Sequence, residues 1–223
     1  MRPVDSMHQL VSVDMEKDLL EANRRLAMEN HTLLQERGIR SVDLMGSIGS
    51  GKTLLIERMA SVLRDRGTRV GVITGDVVGE DDYIRIRALG IPAVNVNTGK
   101  ECHIDAHLAE HALDDLDLDG IDVVLIENVG NLVCPADFPL GTDRRAVIIS
   151  VTEGDDMVRK HPVIFKEADV IVINKSDLAD VMEVSIEALV KDANTVKPGA
   201  RVVITDAKHG KGIEELIEAL GIG

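Results

Sequence analysis

Ser41-Val-Asp-Leu-Met-Gly46-Ser-Ile-Gly49-Ser-Gly51-Lys52-Thr53 is the stretch that decides the fold. An apolar-leaning run opens into Gly-x-x-x-x-Gly-Lys-Thr, and a helical pattern follows. The segment therefore reads as strand, phosphate-binding loop and helix. Glycines at 46, 49 and 51 let the backbone curl, so that N–H groups along the loop, including those of Ser47 and Ser50, face phosphate oxygens at a helix N-terminus. Lys52 would reach the β- and γ-phosphates, and the Thr53 hydroxyl would ligate Mg²⁺. A glycine-rich turn that matches by chance is the alternative, and the strand before and helix after weigh against it. A bound nucleoside triphosphate is expected.

Outward from the loop, apolar runs alternate with helical patterns. Strands are expected at Ser41–Met45, Arg69–Thr74, Ala93–Val96, Asp122–Glu127, Ala146–Val151, Val170–Ile173 and Arg201–Ile204. Helices are expected over Lys52–Arg66, around Asp81–Leu89, and over Ile104–Leu116, Val181–Val196 and Gly212–Leu220. Such alternation implies an α/β fold of the P-loop NTPase type, a mainly parallel sheet with helices on both faces. Upstream, residues 1–11 look frayed. Val13–Arg37 is a charge-rich helical pattern with Gly38 as its C-cap, standing outside the nucleotide-binding unit. The expected division is an N-terminal helical extension at 1–38 and a P-loop GTPase domain at 39–223. The extra helix either packs on the domain or serves a dimer or partner.

Composition narrows the class. No apolar run approaches the roughly 18 residues of a membrane span, and the first residues lack the apolar core of a secretory signal. A cytoplasmic protein is expected, away from membranes. The chain has no Trp, one Tyr and two Phe, with a formal net charge of −14. Both features argue against nucleic acid, which calls for stacking rings and basic patches. The aliphatic core left over suits parallel strands covered on both sides. Two cysteines in a reducing compartment are expected to be buried thiols or metal ligands, not a disulfide.

The base is read from Asn174-Lys175-Ser176-Asp177, directly after an apolar strand. A carboxylate at Asp177 can accept from the N1–H and N2–H₂ edge of guanine, and adenine lacks that pair of donors. Asn174 can address the Hoogsteen side, and the Lys175 stem can lie along the nucleotide. Thr205-Asp206-Ala207-Lys208 follows the last strand, where guanine-binding proteins commonly carry Ser-Ala-Lys; the backbone N–H of Ala207 would contact the base. The nucleotide is expected to be GTP.

Around the γ-phosphate, Glu127 ends a Val-Val-Leu-Ile strand and is followed by Asn128-Val129-Gly130. Glu127 replaces the usual Asp and could reach Mg²⁺ through water, while the Gly130 N–H would sense the γ-phosphate. Asp76, closing the neighbouring strand, either helps hold Mg²⁺ or the attacking water, or merely caps a turn. No glutamine is placed to orient water, so slow turnover is expected. The catalytic set is then Lys52, Thr53, Asp76, Glu127 and Gly130. With Ser47 at the second loop position, the extra lysine of partition-type ATPases is missing.

Gly99-Lys100-Glu101-Cys102-His103-Ile104-Asp105-Ala106-His107 is the other informative segment. Cys102, His103 and the distant Cys134 are ligand types that Zn²⁺ and Ni²⁺ prefer. Neighbouring side chains diverge, so Cys102 and His103 would not easily grip one ion within a single chain, and two chains pooling ligands across a two-fold axis would ease this. His103, His107 and His111 fall on one helical face, which makes His107 a reserve ligand. The alternative is a buried cysteine beside a surface histidine.

Taken with the P-loop, Glu127-Asn128-Val129-Gly130, Cys134 and Asn174–Asp177, this segment resembles HypB, the nickel-inserting GTPase family of hydrogenase maturation, over nearly the whole chain. The resemblance implies a GTP-dependent homodimer with Cys102, His103 and Cys134 at an interfacial Ni²⁺ or Zn²⁺ site. It also implies a HypA-type metallochaperone partner and delivery to the hydrogenase large-subunit precursor. The N-terminal Cys-rich motif or His-rich tract of some members is not in this sequence, so the interfacial site is expected to be the only one. Two alternatives remain: a urease-directed relative of the UreG kind, whose Cys-Pro-His differs from Cys134-Pro135-Ala136 here, and a regulatory GTPase switch with inert cysteines.

Overall fold

The computed structural model describes residues 5–223, with side chains from Lys17 onward. Seven strands form one parallel sheet: β1 (Arg40–Gly46), β2 (Val70–Asp76), β3 (Ala93–Asn97), β4 (Val123–Glu127), β5 (Arg144–Ser150), β6 (Val170–Asn174) and β7 (Arg201–Ile204). Their order is β3-β2-β4-β1-β5-β6-β7. The chain thus runs to one side of β1 and then crosses to the other. A crevice opens at the carboxyl ends of strands where the order reverses, and the loop after β1 sits in it.

The helices are α1 (Asp5–Glu36), α2 (Lys52–Asp65), α3 (Asp81–Ala88), α4 (Ala106–Asp115), α5 (Met157–Lys160), α6 (Pro162–Glu167), α7 (Ile186–Val196) and α8 (Ile213–Leu220). Strand alternation sends Val42, Leu44, Val72, Leu125, Ile148 and Val172 to one face, where α2 and α8 bury them with Leu55, Met59, Leu63 and Leu216. On the other face, Met45, Val147, Ile149, Ile171 and Ile173 pack with Phe165 and Leu189 of α6 and α7. Ile73, Val124 and Ile126 pack there with Leu34 of α1 and Leu113 of α4. Each such aliphatic side chain contributes about 1.5–3 kcal/mol on leaving water. The α/β class and the helices on both faces follow the sequence expectation.

Several boundaries move, with local causes. Residues 5–11, expected to be frayed, are helical, and residues 1–4 lie outside those described. The described half of α1 packs on the domain. Asn23 Oδ1 accepts from Ala106 N–H at 2.8 Å, and Asn30 Nδ2 donates to Ala106 O and Leu140 O at 2.8 and 3.0 Å. Helix α4 starts at Ala106, not Ile104, because Asp105 caps it by accepting from Leu108 N–H at 2.8 Å. The helix expected over Val181–Val196 begins at Ile186, capped by Ser185. Short helices α5 and α6 were not anticipated; Pro162 opens α6 where its missing N–H costs nothing. Among the described residues, no helix is long and apolar enough to cross a membrane.

Candidate nucleotide and metal site

The phosphate cradle is built where β1 turns into α2. Gly51, at φ 97°, is the residue before the helix, and a Cβ there would collide with the Asn174 amide. Lys52 is buried, and its Nζ donates to Gly46 O and Ser47 O at 3.2 and 3.1 Å, across the mouth of the loop. Burial pushes its pKa down; an anion in the loop would reverse that cost. A cavity of about 530 Å³ opens beside it, lined by Lys52, Thr53, Asp76, Glu127 and Gly130 together.

Glu127 is the buried acid of this cavity. Its Oε1 accepts from Thr53 Oγ1 at 2.8 Å, and its Oε2 has no partner. Burial raises its pKa to about 7, against the pull of Lys52. A bare carboxylate oxygen beside a threonine hydroxyl at a phosphate loop is a donor set suited to Mg²⁺. Asp76 lines the cavity, and its Oδ1 accepts from Val77 N–H at 2.6 Å. Gly130 lies so close to the loop that a Cβ would strike Ile48, and Asn131 N–H donates to Gly46 O at 3.0 Å.

Three groups at this end were not singled out from sequence. Asp82 and Arg85 of α3 also line the cavity, and Arg85 pairs with Glu57 at 2.9 Å. Glu153 sits beyond β5 near Lys52 and Lys175; burial raises its pKa, and those two lysines lower it. Nothing in their spacing marks them, because each arrives from an element joined to the loop only in three dimensions.

The base end is a second cavity of about 220 Å³, lined by Lys175, Asp177, Asp206, Ala207 and Lys208 and sharing Gly51, Leu54 and Lys175 with the first. Lys175 lies across it and donates from Nζ to Gly49 O at 2.6 Å. Two of the residues expected at the base are also bonded to each other here. Asn174 lines the cavity from its buried side: Nδ2 donates one hydrogen to Ser50 O at 2.9 Å, and Oδ1 accepts from Thr205 Oγ1 and Ala207 N–H at 3.0 and 3.2 Å. The Ala207 N–H therefore meets the Asn174 amide at the wall of the same cavity. The departure at Asp206 is structural, since its buried carboxylate accepts from His209 N–H at 3.1 Å and pairs with the His209 ring at 2.7 Å, closing the turn. Arg58 supports this turn from α2, donating to Ala207 O and Lys208 O at 3.0 and 3.1 Å.

The cysteines meet. Cys102 Sγ stands 2.8 Å from Cys134 Sγ and 3.9 Å from His103 Nδ1, and the three side chains present their ligand atoms within 4.8 Å of one another. Divergence of neighbours was overestimated: a bend at Cys102–His103 turns both side chains to the same side within one chain. Burial is also the reverse of a buried cysteine beside a surface histidine, with Cys102 exposed and His103 buried against Phe138, ring centroids 4.1 Å apart. Burial lowers the His103 pKa and keeps the imidazole neutral, as a ligand must be. The contact with Cys134, then burial, holds the Cys102 thiol up; two thiolates this close call for a cation. His103 precedes α4 and does not share its face, so His107 is not part of this cluster.

A buried polar chain joins the two sites. Asn128, one residue past Glu127, accepts at Oδ1 from Ile104 N–H at 3.0 Å and donates from Nδ2 to Asp43 Oδ1 at 3.1 Å. Asp43, fully buried in β1, pairs with Arg145 at 3.6 Å, and burial raises its pKa against the pull of Arg145. The Arg145 guanidinium in turn donates to Pro135 O and Ala136 O. One network therefore holds the residue after His103, the residues after Cys134 and the segment expected to face the γ-phosphate.

Comparison with known proteins agrees with this geometry. Residues 41–204 match the nucleotide-binding domain described as CobW/HypB/UreG. Over 212 residues, the chain is 51% identical to the probable hydrogenase maturation factor HypB of Methanocaldococcus jannaschii, covering 95% of this chain and 96% of that one. The crystal structure of HypB from Archaeoglobus fulgidus superposes with a TM-score of 0.83 at 49% identity, covering 90% of this chain and 98% of that chain. HypB from Helicobacter pylori, solved in complex with nickel, gives a TM-score of 0.84 at 34% identity, covering 89% and 93%.

Proposed function

We propose, from the premise that this chain belongs to the HypB group of the CobW/HypB/UreG family, that it is a GTP-binding and GTP-hydrolysing metallochaperone carrying nickel for [NiFe]-hydrogenase maturation. The observation that carries this reading is the meeting of Cys102, His103 and Cys134 on loops tied to Asn128, next to the phosphate cradle. Soft thiolates with a neutral imidazole suit a borderline divalent cation. Three ligands are one short of a closed tetrahedral site. A second copy of the chain, water, or a transient donor from a partner completes it, and an incomplete shell suits cargo that must leave.

In this assignment, residues 46–53 hold the phosphates and Asp177 reads guanine. Lys52 neutralises charge at the β- and γ-phosphates. Thr53 and Glu127, with Asp76 alongside, would hold Mg²⁺, which supplies charge neutralisation at the phosphates. For the base, Asp177 is the exposed acceptor, while Asn174 fixes the walls. With a γ-phosphate bound, the segment from Glu127 to Gly130 is drawn onto the loop, and Asn128 carries that shift to Ile104. The expected working form is a cytoplasmic homodimer, with a HypA-type metallochaperone and the hydrogenase large-subunit precursor as partners.

Titration of the full chain with Ni²⁺, with and without a non-hydrolysable GTP analogue, tests this. Affinity or stoichiometry should change with the analogue and collapse in Cys102→Ala and Cys134→Ala proteins. Unaltered binding in those variants would leave a plain nucleotide switch with inert cysteines.

A further inference from the structure

Two carboxylates meet at the base cavity from different loops, Asp177 from the turn after β6 and Asp206 from the turn after β7. His209 Nδ1 is neighbour to both. It pairs with Asp206 Oδ2 at 2.7 Å and lies 4.0 Å from Asp177 Oδ2. The three side chains bring polar atoms within 4.8 Å of one another. Asp177 is the acceptor assigned to guanine, and the inference rests on that assignment.

The loop that carries the ring is fixed at its base. Asp206 N–H donates to Lys211 O at 3.1 Å and Lys211 N–H to Asp206 O at 3.0 Å, which closes residues 207–210 into a loop. Arg58 of α2 holds Ala207 O and Lys208 O. The Asp206 side chain is buried, while that of His209 is about half exposed. Burial raises the Asp206 pKa, but the backbone and ring bonds from His209, with a weaker pull from Lys211, hold it below the usual carboxylate value. An ionised Asp206 keeps a hydrogen on His209 Nδ1 as its donor.

Two ionised carboxylates this close disfavour each other unless positive charge or a donor stands with them. His209 supplies it. Without the ring, the buried Asp206 charge has nowhere to move, so Asp177 must turn from it or take up a proton. Either response spoils an acceptor that has to offer two oxygens to the N1–H and N2–H₂ edge of guanine. We propose that His209 is a positioning residue for guanine recognition: paired with Asp206, it keeps Asp177 ionised and directed at the base.

The test measures Kd for GDP and IDP by calorimetry on the full chain. His209→Ala should weaken GDP binding about tenfold, with a smaller loss for IDP, which lacks the 2-amino group. Combining Asp206→Ser with His209→Ala removes the opposing charge as well, and should bring GDP affinity back to within about threefold of wild type. A ring that only closed the turn would give the reverse, a double variant at least as weak as the single one. Thermal unfolding of each variant checks that the fold is kept. A His209→Ala protein that binds GDP as wild type does, or a double variant that regains nothing, overturns the proposal. Wild type that binds GDP no better than IDP or ADP removes the guanine assignment and the inference with it, so the two failures are distinct.

Discussion

Asn128 donates to Asp43 at 3.1 Å, giving a buried carboxylate in the middle of the central strand its hydrogen-bonding amide partner. The same amide accepts from Ile104 N–H at 3.0 Å. Replacing Asn128 by Leu leaves Asp43 and Ile104 N–H without that partner. A loss of about 3 kcal/mol is expected, by the cost of orphaned buried polar groups, measured by denaturant unfolding. Asn128→Leu should also separate GTP binding, which persists, from any effect of nucleotide on metal affinity. A variant that is equally stable and still coupled would show that the network is incidental.

Glu127 ties stability to pH. Its folded pKa is raised to about 7 from 4.5, so between those values the folded chain holds a proton that the unfolded chain has lost. Stability therefore falls as pH rises through this window and levels off above it, by about 3 kcal/mol in total at 1.36 kcal/mol per unit. Glu127→Gln should flatten this slope and be the more stable protein at pH 8 without nucleotide. Binding of Mg²⁺ with GTP at pH 6 should release a proton from wild type and less from the variant, read by calorimetry in buffers of different ionisation enthalpy.

Asp177 should decide the base. Asp177→Asn replaces an acceptor of two N–H groups with a mixed donor and acceptor, and leaves a guanine donor unpaired. Affinity for GTP is expected to fall by two orders of magnitude or more, with little change for ITP, which lacks the 2-amino group. Equal losses for both nucleotides would place the discrimination elsewhere.

A methyl group at Gly130 would collide with Ile48. Gly130→Ala should hold the Glu127–Asn131 segment off the loop and lower GTP turnover at least tenfold, while GDP affinity, set by the loop and the base pocket, changes little. Comparison of kcat with the Kd for GDP checks it.

Much of this molecule was legible in its residues because the signals are local. Gly46–Thr53 must be contiguous to curl around phosphate, and the apolar runs that fix the parallel sheet are contiguous too. The meeting of Cys102 with Cys134 was inaccessible to spacing, since it depends on a bend after β3 and on where Arg145 holds the Cys134–Ala136 turn. Asn174 was legible only in part, for the opposite reason. Its tetrapeptide is local, but its amide also binds Ser50 and Ala207, partners that only the folded sheet brings near. Asp43 gave no sign in a strand of otherwise ordinary composition, because a lone buried acid becomes tolerable only once Arg145 and Asn128 are in place.

The Asn174 amide has one more consequence. By clamping Ser50 O on one side and Ala207 N–H on the other, it makes the base wall and the helix-proximal end of the phosphate loop a single stiff frame. A nucleotide docking against that frame finds no slack there. Gain or loss of its terminal phosphate must then be expressed at the opposite margin, toward Gly130 and Cys134. The frame acts as an anvil: its refusal to yield gives the signal a direction.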